Sequence, residues 1–197
     1  MGRKRTMVQG VGYHSDASPT SDGNGRHIFE YTTWCNMLKR CYNEASLLKN
    51  TTYEDKVVSE VWKGYGEFYK WCSNYKFKES GWQLDKDLLL KGNKVYGPEF
   101  CVFLPPALNG VLLSCKAKRG KLPVGVHFDK SRGKFKATCC NEHGKQWQKR
   151  FNTIDEAFQA YKQEKERVIK FLANKYKDRI DPRAYKALIN YQVEITD

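Results

Sequence analysis

The chain has 197 residues and carries 35 Lys and Arg against 22 Asp and Glu, a formal net charge of +13. Hydrophobic residues make up 40% and aromatics 14%, too much for a disordered basic tail and enough to fill one or two folded cores. The longest uncharged apolar run, around Val102 to Leu108, falls well short of the roughly 20 residues of a membrane span, and no apolar stretch follows the basic start. The expectation is a soluble protein with a polyanionic partner, no membrane contact and no secretory signal.

Residues 1–27 are polar and rich in Gly, Ser and Asp. They read either as a frayed terminus or as an arm in which Arg3, Lys4, Arg5 and Arg26 touch a polyanion. Phe29 to Tyr42 reads as a helix, because Trp34, Met37, Leu38 and Cys41 recur at helical spacing. A loop through Asn50 to Thr52 follows. Ser59 to Asn74 has a second helical pattern in Trp62, Tyr65, Phe68, Tyr69 and Cys72, weakened by Gly64 and Gly66. These aromatics stand at core spacing and read as packing.

Leu84 to Leu90 and Phe100 to Leu104 are short apolar runs separated by the turn-rich Lys91-Gly92-Asn93-Lys94. Pro105 and Pro106 end the second run, and Ala107 to Leu113 can start a helix. That order is strand, loop, strand, helix. Asp85 and Asp87 are two apart on a strand, so they project to the same face. With Asn109 on the following helix, such oxygens suit one hard divalent cation, Mg²⁺ or Mn²⁺, stabilising a phosphate leaving group. By itself the pattern is more often that of ordinary surface Asp and Asn residues.

The second half is where the charge concentrates. Residues 1–110 hold 15 basic and 12 acidic residues, whereas 111–197 hold 20 and 10. Between Lys116 and Arg150 there are 11 basic residues and only Asp129 and Glu142 against them, a net of +9. A merely solvated face mixes both signs, so this stretch reads as phosphate-facing. Gly125 to Phe128, Lys134 to Cys140 and Trp147 to Phe151 read as strands, with turns at Ser131 to Gly133 and Asn141 to Gly144. Thr153-Ile-Asp-Glu156 is a capping box opening a long helix striped by Ala157, Phe158, Tyr161, Val168, Ile169, Leu172, Ala173 and Tyr176. Asp181-Pro182 opens another short helix. The seven Cys are odd in number and contain no CxxC, so they read as free, mostly buried thiols.

Two resemblances follow from these residues. Leu84-Asp85-Lys86-Asp87, Gly92, Tyr96, Pro98, Cys101 and Asn109 occur in the order of a motif of bacteriophage HNH-type endonucleases. Upstream, Trp34, Met37, Arg40, Cys41 and Tyr42 resemble that family's W-x-x-M-x-x-R-C-Y helix, and Trp62 and Phe68 its W-x-x-F element. This resemblance implies a ββα-metal unit with Asp85 and Asn109 as ligands of one Mg²⁺ or Mn²⁺. It departs where the better-known enzymes have a general-base His, here Lys86, and at the central Asn position, here Phe100. A protonated Lys is a poor base, so Lys86 is assigned to holding a phosphate and Asp87 to orienting water.

Gly125-Val126, Gly133-Lys134-Phe135-x-Ala137, Gly144-Lys145, Phe151-x-Thr153, Glu156-Ala157 and Ala160-Tyr161 resemble the plant ethylene-response-factor (Apetala-two) DNA-binding domain. The chain departs from it at Arg150, where that family usually has Gly before the Phe, and at His127, where Arg is common. The resemblance implies contacts to double-stranded DNA by Arg132, Lys134, Lys136 and the strand carrying Trp147, Lys149 and Arg150. Lys130 and Lys145 extend that face, and Lys116, Lys118, Arg119 and Lys121 form a basic linker that can track phosphates.

The expected organisation is α+β. It has an arm (1–28), an HNH-like module (29–113), the linker (114–121), a module of three-stranded antiparallel sheet plus helix (122–176) and a helical extension (177–197). The expected function is a phage-encoded, nicking or homing-like, metal-dependent DNA endonuclease of the host cytoplasm, with its oligomeric state left open and a monomer favoured. The alternative is a catalytically decayed HNH-like DNA-binding protein acting as a regulator or anti-defence factor.

Overall fold

The computed structural model describes residues 7–113, 122–195 and 197. The chain is mixed α+β and divides into two units, residues 1–103 and 104–197. Among the described residues, no helix is long and apolar enough to cross a membrane.

The first unit contains α1 (Phe29–Tyr42), α2 (Glu44–Lys49), β1 (Val57–Val58), α3 (Glu60–Lys63), α4 (Tyr65–Asn74), β2 (Gln83–Asp85), β3 (Val95–Tyr96) and the start of β4 (Val102–Leu104). The apolar stripe of α1 buries Trp34, Met37, Leu38 and Cys41. It meets α4, which buries Tyr65, Phe68 and Cys72. Trp34 and Tyr65 pack ring on ring, and the Trp34 indole donates to the Trp62 carbonyl at 2.8 Å. The aromatics are core, as their spacing predicts.

The pattern over 59–74 is two helices, broken at an extended Gly64. The cause is the segment expected to be an arm. Tyr13 donates its N–H to the Lys63 carbonyl and accepts from the Tyr65 N–H, so residues 7–28 are woven into this unit. Gly66 N–H bonds Ser15 Oγ, and Tyr65 Oη donates to the Pro19 carbonyl. Arg3, Lys4 and Arg5 lie outside the described residues. β1 pairs in parallel with β3, and β2 pairs with β4.

The second unit holds α5 (Pro106–Leu112), β5 (Val126–Asp129), β6 (Lys134–Cys140), β7 (Gln146–Phe151), α6 (Ile154–Lys175) and α7 (Pro182–Ile189). The helix expected to complete the first module, α5, packs on α6 in this unit. The sheet is antiparallel in the order β5-β6-β7. Thr153 caps α6 by accepting from the Glu156 N–H, while Glu156 reaches back to the Thr153 N–H. The first turns of α6 lie against one face of the sheet, where Val126, Ala137, Cys139, Ala157, Phe158 and Tyr161 share a core with Val193 from the C-terminal segment. Further along, Asp181 caps α7, and α7 packs on α6. Cys41, Cys72, Cys101 and Cys139 are buried free thiols.

Gly125 sets the distance between helix and sheet. Its φ is +71°, and a Cβ there would run into the Tyr161 ring. Gly125→Ala therefore combines backbone strain with overpacking. It is expected to destabilise the second unit by about 2 kcal/mol or more, lowering the melting midpoint by several degrees in a thermal scan.

Candidate nucleic-acid interface and acidic segment

Strand register decides which residues of the sheet face outward. Directly opposed residues share a face. Ala137 opposes Val126 and Lys149, Phe135 opposes Phe128 and Phe151, and Cys139 opposes Trp147. These residues stand on the side covered by α6. The other face therefore displays His127, Lys136 and Arg150 in one row across all three strands, with Asp129 opposite Lys134, Thr138 opposite Gln148, and Cys140 opposite Gln146. No element of the second unit's core cluster covers it.

Lys134, Lys136 and Arg150 thus come together on the open face. The expected contact strand is divided. Trp147 packs against the helix-side core, and Lys149 places its ammonium 5.7 Å from the Trp147 ring centroid, although it stays exposed. Lys130 and Arg132 sit at the exposed β5–β6 turn, where Gly133 takes φ +62°. Lys145 sits at the exposed β6–β7 turn, where its N–H and that of His143 bond to Asn141 Oδ1. Lys116, Lys118, Arg119 and Lys121 lie outside the described residues. Thr138 follows Lys134 and Lys136 by alternation along β6, whereas the register of β7 puts Gln148 opposite it. Thr138 Oγ1 is buried with no hydrogen-bond partner.

Both acids of the basic stretch are neutralised locally. Glu142 is gripped by Arg167 of α6, with Nη2 to Oε2 at 2.6 Å. That bond holds its carboxyl at about 2. Asp129 accepts from Ser131 Oγ at 2.7 Å and from Arg150 Nε at 2.9 Å, and these two bonds hold it at about 2 as well.

In the first unit, β2 ends at Asp85, so Asp85 and Asp87 do not share a strand face. Instead Asp85 Oδ1 accepts the N–H groups of Asp87 and Leu88 at 2.9 and 2.8 Å, turning the chain out of the strand. An Asp side chain closing a turn on the backbone two residues ahead is a common Asx arrangement. Burial pushes the Asp85 carboxyl up despite those bonds.

Lys86 points inward and is 3% exposed. Its ammonium donates to Asp87 Oδ1 and, at 3.0 Å, to the Asn93 carbonyl, and it lies 5.7 Å from the Tyr96 ring centroid. Asn93 closes the clip by donating to the carbonyls of Lys86 and Val95. Lys86 is thus committed to the fold rather than presented to a phosphate, and Asp87 is its counter-ion.

Asn109 is carried by α5 in the second unit. Among the described residues, no three His, Cys, Asp or Glu side chains are grouped to hold a metal ion. Within the first unit the donors do not fit a hard cation that needs about six oxygens. One Asp85 oxygen is spent on two N–H groups, and Asp87 is already paired with an internal ammonium.

No family model, curated protein or solved structure matches the chain.

Two measurements check these assignments. Lys86→Ala leaves the Asn93 carbonyl and a cavity behind, and should cost the first unit about 2–3 kcal/mol in urea unfolding. A lysine that only held phosphate would leave stability unchanged. For Asp129, the folded carboxyl titrates below the roughly 3.9 of an unfolded Asp, so its contribution to stability is complete above pH ~4 and disappears as pH falls towards 2. Asp129→Asn should flatten that limb of the stability profile.

Proposed function

We propose that the protein binds double-stranded DNA through the open face of the β5-β6-β7 sheet. We further propose that its first unit is an HNH-like frame whose acidic residues now serve the fold, the catalytically decayed form. The observation that carries the reading is the row of His127, Lys136 and Arg150 beside Lys134 on a face no core element covers, with Glu142 neutralised from α6. A two- or three-stranded sheet of this width can enter the major groove, while Lys130, Arg132 and Lys145 at the two turns are placed for flanking phosphates. Cations bind DNA largely by releasing its condensed counterions, so the affinity is expected to fall steeply with salt. The reading of the first unit as the decayed form is supported by the buried Lys86, which takes the exposed Asp87 as its counter-ion, and by Asp85, which closes a backbone turn.

Duplex binding measured at several salt concentrations tests the first half. Lys134→Ala/Lys136→Ala should weaken binding and reduce the slope of log K against log salt by about 2. Unchanged affinity would remove this face as the contact. Incubation with supercoiled plasmid and Mg²⁺ or Mn²⁺ tests the second half. Equal products from wild type and Asp85→Ala are expected. Nicking that Asp85→Ala abolishes would overturn the decayed form in favour of a metal-dependent endonuclease.

A further inference from the structure

We propose that Arg150 reads a guanine in the bound duplex and that Asp129 is the residue that positions it. The proposal rests on the DNA-binding reading of the open face and adds a base and a side chain to it. Arg150 stands on β7 and Asp129 on β5, the two outer strands, with β6 between them. Their ion pair, 2.9 Å from Nε to Oδ2, therefore crosses the central strand. Register places that crossing between Lys136, which opposes Arg150, and Lys134, which opposes Asp129. The guanidinium is drawn across the middle of the open face.

The geometry fixes this group in advance. Asp129 is itself anchored, because Ser131 Oγ bonds its other carboxylate oxygen at 2.7 Å. Arg150 has five N–H donors and spends only Nε on Asp129. Among the described residues, neither of its terminal nitrogens has a partner. What remains is a planar pair of donors held in one orientation. A donor fork of that kind matches guanine O6 and N7 in the major groove, and holding the rotamer beforehand lowers the entropy lost on binding.

The acid argues for orientation over attraction. A cation meant only for phosphate gains nothing from a carboxylate at its side, which repels the backbone. Asp129 has a side-chain exposure of 14% and stands beside Lys134, Lys136 and Arg150. An ion pair that merely ties β5 to β7 is the competing role. That role would move stability and leave base preference alone.

Selection of binding sites from randomised duplexes by the full chain, followed by titration of the selected site and of versions with each guanine replaced, tests the proposal. Wild type should prefer guanine at one position by about ten- to a hundredfold. Arg150→Ala should bring that preference to within about twofold; it should also weaken binding to guanine-free duplexes, because a cation is lost and Asp129 is left unpaired, but by less than it weakens binding to the selected site. Arg150→Lys keeps the charge, and it should lose the preference equally, which covers the case in which Arg150→Ala folds poorly. Asp129→Asn should reduce the preference severalfold and raise affinity for random duplex, since a negative charge is gone. The proposal is overturned if wild type selects no guanine. It is also overturned if the variants weaken all duplexes equally, or if they change only the salt slope. Wild type binding every duplex alike, in a manner that depends on Lys134 and Lys136, removes the guanine assignment alone. No duplex binding at all removes the DNA reading with it.

Discussion

The contact on which the second unit depends is the close approach of α6 to the sheet at Gly125, Ala137 and Tyr161. Tyr161 fills the space that a side chain on Gly125 would need, and Ala137 is fully buried beneath the helix. Once the helix is seated there, the pleat of β6 leaves no choice about its neighbours. Phe135, Ala137 and Cys139 turn inward, so Lys134, Lys136, Thr138 and Cys140 turn outward. A slip of one residue would bury two lysines and expose Phe135, which makes the register strongly determined. The charge display on the open face is thus a consequence of packing on the opposite side, where the small residues Gly125 and Ala137 let the helix approach.

The two units treat charge in opposite ways. In the first, the ammonium of Lys86 is taken out of water, and that is tolerable only because Asp87, the Asn93 carbonyl and the Tyr96 ring surround it. The acids nearby are consumed by the same task, Asp87 as counter-ion and Asp85 as the cap of the turn. In the second unit the acids are also consumed, but the balance leaves cations over. Arg167, which neutralises Glu142, comes from α6 rather than from the basic stretch itself. Arg167 also pairs with Glu164 of the same helix, and of the basic residues of that stretch Lys134, Lys136, Lys149 and Arg150 stand on strands.

Much of the second unit was legible in the sequence. The strand Lys134–Cys140, the capping box at Thr153 and Glu156, and the stripe of α6 rest on local rules of alternation, capping and helical period. Trp147 and Lys149 show where such rules stop. Both were expected to share a surface with Arg150, yet one residue along a strand reverses the face, and only pairing with β6 fixes which residues fall where. The same limit appears at Gly64, where a break in a helical pattern is decided by Tyr13, about fifty residues away in sequence. It appears again at Asp85 and Asp87. Their spacing of two implies a common face only if the strand continues, and here the Asp85 side chain itself ends it by capturing two backbone N–H groups.

That last case bears on how an acidic motif should be weighed. A carboxylate is valuable to a nuclease because it is an oxygen donor with negative charge, and it is valuable to a turn for the same reason. The two uses compete for the same lone pairs. Where backbone N–H groups and an internal ammonium already hold one oxygen of each carboxylate, a cation competes with the bonds that turn the chain at Asp85 and neutralise Lys86. On the sheet the balance runs the other way, since Asp129 leaves the four N–H groups of Arg150's two terminal nitrogens unspent on an open face. The order of residues cannot separate these cases, because both read as acid beside base. What separates them is whether the basic partner's remaining hydrogen-bonding capacity points into the protein, as for Lys86, or out of it, as for Arg150.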